Sequence, residues 1–278
     1  MAVALALLLL TYAALWFGVF ELFVVLPRAD PYWIVVAAAL GIALVGHYRN
    51  ATRGILRSVG AVVVDPASGP ELFERLRRLA GLADIPVPQL AIAETDAANA
   101  FAVGLSQRNS VIVLTSGLRE QLEPSELEAV LAHEIAHIAN RDAAVLTAVA
   151  GPRVLGETMI GGPGSTYLGL VWFVIWPLGI PIYALGTLLT LTVSRYREYA
   201  ADRGSALLTG APAQLMSALQ KLASAAGEIP HADLRTANVF CIVSTEAVML
   251  ELFADHPPLA KRLAALAEIA RDMGKPVS

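Results

Sequence analysis

The sequence predicts a mainly α-helical protein of the α+β class, anchored in a membrane by about four helices. A helical domain outside the bilayer is expected to carry a small β-sheet. Three observations lead there. First, apolar residues make up 56% of the 278 residues and charged residues only 16%, against roughly 45–50% and 25% in ordinary globular domains. Second, that excess is concentrated in runs long enough to cross a bilayer. Third, the charged remainder shows helical periodicity broken by a few short strand-like pieces.

Taken in order, residues 2–26 contain a single charged side chain, Glu21, and residues 32–46 contain none. The first run lacks the basic start of a secretion signal and is followed at once by the second, so the two read as a membrane hairpin. Tyr32 and Trp33 suit the interfacial belt. Arg49, Arg53 and Arg57 follow the second run, whereas the short loop before it has Arg28 offset by Asp30. The positive-inside rule then places the chain beyond residue 48 in the cytoplasm. A third uncharged stretch covers residues 158–194, and Arg195 and Arg197 just after it point to the same side.

Between these stretches the pattern changes. An amphipathic helix is expected near Glu71–Leu82, with strands at Gln89–Ala93, Asn99–Val103 and Val111–Thr115. Gly117 reads as a turn ahead of a helix opened by Glu123 and Pro124. Further helices are expected over Pro212–Ala226 and Pro257–Met273. The chain thus divides into a transmembrane hairpin (1–48), a subdomain with the strands and that helix (49–142), a second transmembrane pair (143–193) and a helical subdomain (194–278).

Several function classes drop out. The net charge of −4 and pI near 5.7 leave no basic footprint for nucleic acid. Cys241 is the single cysteine, so intramolecular disulfides and CxxC metal patterns are excluded. His47 and His231 have no partner pattern.

The chemistry is concentrated at His133-Glu-Ile-Ala-His137. Positions i and i+4 share one face of a helix, so both imidazoles can reach one metal ion. Glu134 lies about 100° round the helix, able to act as a base beside such an ion. Leu127, Leu131, Ile135 and Ile138 form an apolar stripe on another face. Two histidines do not complete a catalytic zinc site, which takes three protein ligands and keeps one position open. A longer pattern would need Gly and His three and six residues past His137, where Asn140 and Ala143 stand. The third ligand is therefore sought as a carboxylate on a second helix, and Glu198 is the best candidate. Asp202 follows four residues later on the same face and can accept the second ring N–H of a ligating histidine. Ala200 and Ala201 suit a close helix approach.

For the two pieces to meet, the chain must cross the membrane an even number of times between them. Residues 166–193 make one span, bent at Pro177 and Pro181. Residues 143–162 make the other, with Arg153 and Glu157 paired at i, i+4. A re-entrant hairpin broken at the two prolines is disfavoured because its arms are too short.

The chain resembles the HtpX-type membrane zinc endopeptidases and their CAAX prenyl protease relatives. The resemblance rests on residues 126–142 and 194–202, on Asn99-Ala-Phe-Ala102, and on His256-Pro-Pro-Leu-Ala-Lys-Arg262. It implies a zincin-type (gluzincin) domain binding one zinc ion through His133, His137 and Glu198, with Glu134 as general base and Asp202 supporting the site. It also implies an edge strand at Asn99, Ala100, Phe101 and Ala102 that holds substrate backbone. His256 would stabilise the transition state, with Arg262 beside it. Asp255 departs from the Thr or Ser frequent in relatives.

The expected protein is thus a multi-pass protease of the cell membrane. Its zinc site faces the cytoplasm, and it cleaves membrane or misfolded polypeptides. The alternatives are a CAAX-type processing protease and a proteolytically silent scaffold or holdase. Intramembrane cleavage is disfavoured by the charges of Glu126, Glu128, Arg141 and Asp142 around the motif.

Overall fold

The strand residues fix the architecture first. In the computed structural model, which describes residues 42, 52–104, 106–161, 169–226 and 257–277, β1 (Ala61–Val63), β2 (Gln89–Ala93), β3 (Ala100–Val103) and β4 (Val111–Thr115) form one sheet in the order β1-β2-β4-β3. Strands β2 and β4 are parallel, and the outer pairs are antiparallel. The run Val-Ile-Val-Leu-Thr is buried throughout, as a central strand covered on both faces must be. Strand β3 lies at one edge. Strand β1 was not expected from the sequence: it is three residues long and leaves Val62 and Val63 exposed, so it shows no alternation to read.

The two faces of the sheet have different partners. Leu90, Ala100, Ile112 and Leu114 join the main core with helix α1 (Pro70–Leu82), which buries Phe73, Leu76, Leu79 and Ala80. Ala91, Phe101, Val103, Val111 and Val113 pack on the other side with Ile55, Leu56 and Val59. Helix α2 (Ser116–Gln121) is capped by the Thr115 hydroxyl, which accepts from the Leu118 N–H. Gly117 lies inside this helix rather than in a turn. A Cβ there would sit 2.1 Å from the Asp96 carbonyl oxygen, so the residue is small because a loop crosses it.

Helix α3 (Pro124–Ala139) carries the histidine motif. A reciprocal cap between Glu123 and Glu126 starts it, supplying partners to first-turn N–H groups. Glu126 is buried and accepts from Ser217 Oγ at 2.6 Å and Lys221 Nζ at 2.8 Å. Both donors lie on α7 (Pro212–Ala226). Leu131, Ile135 and Ile138 are buried, but so are Ala129, Val130, Ala132 and Ala136. The helix is therefore enclosed nearly all round, beyond what its apolar stripe alone implies. Helix α8 (Leu259–Asp272) adds Leu266 and Ala270 to the buried set. It starts two residues after Pro257, beyond the Pro257-Pro258 pair.

Helices α4 (Asp142–Val149) and α5 (Gly151–Gly161) follow, bent by 41° at their junction. Helix α6 (Gly169–Thr209) runs unbroken through Pro177 and Pro181, so no re-entrant break occurs there. Among the described residues, Trp176–Thr209 is one helix long and apolar enough to cross a membrane, and α4 with α5 passes the same test as a bent pair. The four-span expectation is not established by this count, and its first two spans lie outside the described residues. Two compact units emerge: Thr52–Thr147 with Leu191 onward, and a second that includes Ala148–Thr190.

Within the larger unit, α3 and α6 meet without intervening side chains. A Cβ on Gly204 would lie 2.6 Å from that of Ala136, and the Ser205 hydroxyl donates to the Ala129 carbonyl at 2.7 Å. Gly204→Val forces these helices apart and is expected to cost about 1–3 kcal/mol, the usual penalty of overpacking. A lowered midpoint in thermal unfolding, beside an unchanged Ser224→Ala control at the exposed end of α7, checks this.

Candidate metal centre

Helix periodicity and that close approach together converge three side chains. His133 and His137 come from adjacent turns of α3, and Glu198 comes from α6. His133 Nε2 and His137 Nε2 lie 3.0 Å apart. Glu198 Oε2 is 3.7 Å from the first and Oε1 is 3.6 Å from the second. The rings stand nearly perpendicular, at 88°. Tetrahedral zinc with bonds of 2.0–2.1 Å separates its ligand atoms by about 3.3 Å. The donor set and its spacing therefore fit one zinc ion.

Charge balance argues the same way. Glu134, Asp142, Glu198 and Asp202 are all buried; among the described residues Arg262 pairs with Glu198 and Asp202, and Arg197 with Asp142. Buried charge is costly unless it is compensated, and a cation held among these carboxylates adds to that compensation.

Each ring has an outer carboxylate. His133 Nδ1 lies 3.1 Å from Asp202 Oδ1, and His137 Nδ1 lies 2.6 Å from Asp142 Oδ2. The second was not anticipated from the sequence. Asp142 is five residues from His137, outside the i+4 register, so helical spacing gives no signal for it. Arg262 donates to both oxygens of Asp202, through Nε at 2.9 Å and Nη2 at 2.6 Å, and its Nη1 reaches Glu198 Oε2 at 3.1 Å. Burial alone pushes the Asp202 carboxyl up, but Arg262 and His133 outweigh it and hold the pKa below the usual value. Burial likewise works against the Arg262 charge, and Asp202 and Glu198 reverse the effect and raise its pKa. Its guanidinium is thus committed to the carboxylates of the site, whereas the sequence reading set it beside His256 at the oxyanion. His256 itself lies outside the described residues.

Glu134 is buried next to the ligands. Burial raises its pKa above the ordinary carboxylate value, and Glu198 adds to the rise. The two histidines and the Ala102 backbone N–H, which donates to it, act in the opposite sense. Strand β3 is thereby brought to the site. Asn99 is fixed to β4: its N–H donates to Thr115 Oγ1 at 2.8 Å and its carbonyl accepts from the Thr115 N–H at 3.0 Å. Antiparallel alternation turns the backbone groups of Ala100 and Ala102 away from β4, where Ala100 is fully buried and the Ala102 N–H is taken up by Glu134. The Phe101 side chain is buried on the opposite face of the sheet.

Two imidazoles and a carboxylate, with a further buried carboxylate at their side, are the donor set of a mononuclear zinc hydrolase. Comparison with known proteins narrows that class. Residues 66–270 match the model of "Peptidase family M48", and the chain belongs to this family of metalloproteases. It is 38% identical over 253 residues to "Protease HtpX homolog 2" of Methanosarcina acetivorans, covering 86% of this chain and 85% of that one. It is 39% identical to "Protease HtpX homolog" of Moorella thermoacetica, with 86% and 84% covered. The "Protease HtpX homolog 1" of Streptomyces coelicolor is 36% identical, with 87% and 85% covered. Among solved structures, that of S. mikatae Ste24p shares the fold, with a TM-score of 0.53 and 19% identity. The match covers 86% of this chain and spans 58% of the length of that one.

Arg262→Met removes the cation that faces both Asp202 and Glu198. Stripping one partner from buried ionic groups costs about 3–5 kcal/mol, so the metal-free protein should unfold at a clearly lower temperature. Arg262→Lys should recover only part of the loss, because a lysine cannot donate to both Asp202 oxygens in the same fork. Thermal unfolding of the three chelator-treated proteins checks the order.

Proposed function

We propose that the chain is a membrane-anchored, multi-pass zinc endopeptidase whose centre faces the cytoplasm and whose substrates are membrane or misfolded polypeptides. The observation that carries this reading is the convergence of His133, His137 and Glu198 beside the buried carboxyl of Glu134. When bound by those three residues, zinc supplies a Lewis acid for the scissile carbonyl and lowers the pKa of water. Glu134 is the general base: it takes the proton from the attacking water and delivers it to the departing amine nitrogen. Burial raises its pKa above the ordinary carboxylate value, which makes the ionised group a stronger proton acceptor.

Asp202 and Arg262 hold His133 and Glu198 in place. The β3 edge, Asn99–Ala102, is read from the family resemblance as the strand that holds substrate backbone, with an extended peptide adding beside it. Phe101 anchors that strand from the far face. His256 is assigned to the oxyanion by the family resemblance. The HtpX-named relatives, at 36–39% identity over most of the chain, support this reading over CAAX-type processing, for which the Ste24p likeness offers fold alone. The cytoplasmic side follows from Arg49, Arg53, Arg57, Arg195 and Arg197.

Glu134→Gln is expected to keep one zinc per chain while lowering casein cleavage by about 10²–10⁴-fold, the usual loss on removing a general base. Metal analysis and a cleavage assay on the purified full-length protein check both halves. Near-normal cleavage by this variant overturns the assignment. A zinc chelator should abolish wild-type cleavage, and added zinc should restore it.

A further inference from the structure

The outer carboxylate expected from the sequence, Asp202, serves His133. His137 has a different one, reached in an unusual way. Its Nε2 is turned toward His133 Nε2 and Glu198 Oε1, at 3.0 and 3.6 Å, while its Nδ1 meets Asp142 Oδ2 at 2.6 Å. Helix α3 ends at Ala139 with Asn140 as its C-cap, and the next residue, Arg141, adopts φ 57°. That left-handed conformation is uncommon for a residue with a side chain. It starts α4 at Asp142 and aims the carboxylate back at the imidazole one turn behind.

Asp142 is itself gripped. Its Oδ1 pairs with Arg197 Nη2, and the same nitrogen donates to the Asn140 carbonyl at 2.8 Å. Arg197 immediately precedes Glu198 on α6. One buried carboxylate therefore joins the last turn of the histidine helix to the segment that carries the third donor.

We propose that Asp142, held by Arg197, is the positioning residue for His137. By accepting the Nδ1 proton it keeps Nε2 unprotonated and directed at the metal, and through Arg197 it couples that orientation to the placement of Glu198. This rests on the zinc reading given above. A neutral imidazole carries one N–H, and the partner of one nitrogen decides which nitrogen is left to bind metal. Both groups facing Asp142 are donors, and a carboxylate accepts from each. An amide has one acceptor oxygen, so its NH₂ must oppose either the ring N–H or the guanidinium.

The test uses the full-length protein in detergent. Zinc affinity is measured by competition with a fluorescent chelator, the cobalt-substituted protein is followed by its visible absorption, and the metal-free protein is unfolded thermally. Asp142→Asn should bind zinc about 10- to 100-fold more weakly, the range for loss of an outer-shell partner. Its cobalt spectrum should change, and its metal-free unfolding midpoint should fall far less than the loss of affinity. Arg197→Met should weaken zinc binding less, and the double substitution should bind no more weakly than Asp142→Asn alone. Asp142→Glu should restore part of the affinity. Wild-type affinity and an unchanged cobalt spectrum in Asp142→Asn would overturn the proposal. A metal-free unfolding midpoint that falls in step with affinity would overturn it too, by making Asp142 a staple of the fold. A wild-type chain that takes up no zinc defeats the zinc reading and this proposal with it.

Discussion

The contact between Ala136 and Gly204 governs the rest of the site. Both residues lie within one turn of chemically active neighbours: Ala136 sits between Glu134 and His137, and Gly204 is two residues past Asp202. Because a Cβ at Gly204 would fall 2.6 Å from that of Ala136, the two helix backbones approach more closely than side chains normally permit. The Ser205–Ala129 hydrogen bond sets their register along the axis. At that separation a glutamate on one helix reaches two imidazoles on the other. A wider gap would leave the three donors unable to share one ion.

Such an approach buries charge, and the surrounding residues answer to that. A carboxylate inside a protein is tolerated when it is paired and its oxygens have donors. Arg262 serves two carboxylates at once, and Arg197 serves Asp142 together with a helix-terminal carbonyl. Arginine suits both places because its rigid fork of donors can satisfy several oxygens. Glu134 is the exception. It has a backbone donor and histidine neighbours but, among the described residues, no paired arginine, and burial raises its pKa.

Sheet and helices meet at the same place for a steric reason. Ala100 and Ala102 are the β3 side chains on the side of α3, and their small size lets Glu134 reach the strand backbone. Phe101 points the other way and fixes the strand from behind. An edge strand normally exposes unpaired backbone groups that proteins must protect. Here the edge is covered where it meets the metal ligands: Ala100 is fully buried and the Ala102 N–H donates to Glu134.

Much of this was legible in the residues themselves. The i, i+4 histidines, the carboxylate pair Glu198 and Asp202, the helix start at Glu123 and Pro124 and three of the four strands are local patterns, and backbone geometry ties local patterns to spacing. Strand β1 was not legible, because three residues carry too little periodicity. Gly117 was misread as a turn, since only the loop of Asp96 crossing it explains its size. Asp142 was passed over because a left-handed residue brings it back to His137 out of helical register. The pairing of Arg262 with Asp202 and Glu198, about sixty positions away, was not legible because it depends on how α8 packs. The sequence by itself therefore determined which side chains could bind a metal, because helical spacing is a property of the chain alone. Which carboxylate serves which imidazole, and how closely the two helices meet, was decided only in three dimensions, where steric contact and the pairing of buried charge select one arrangement.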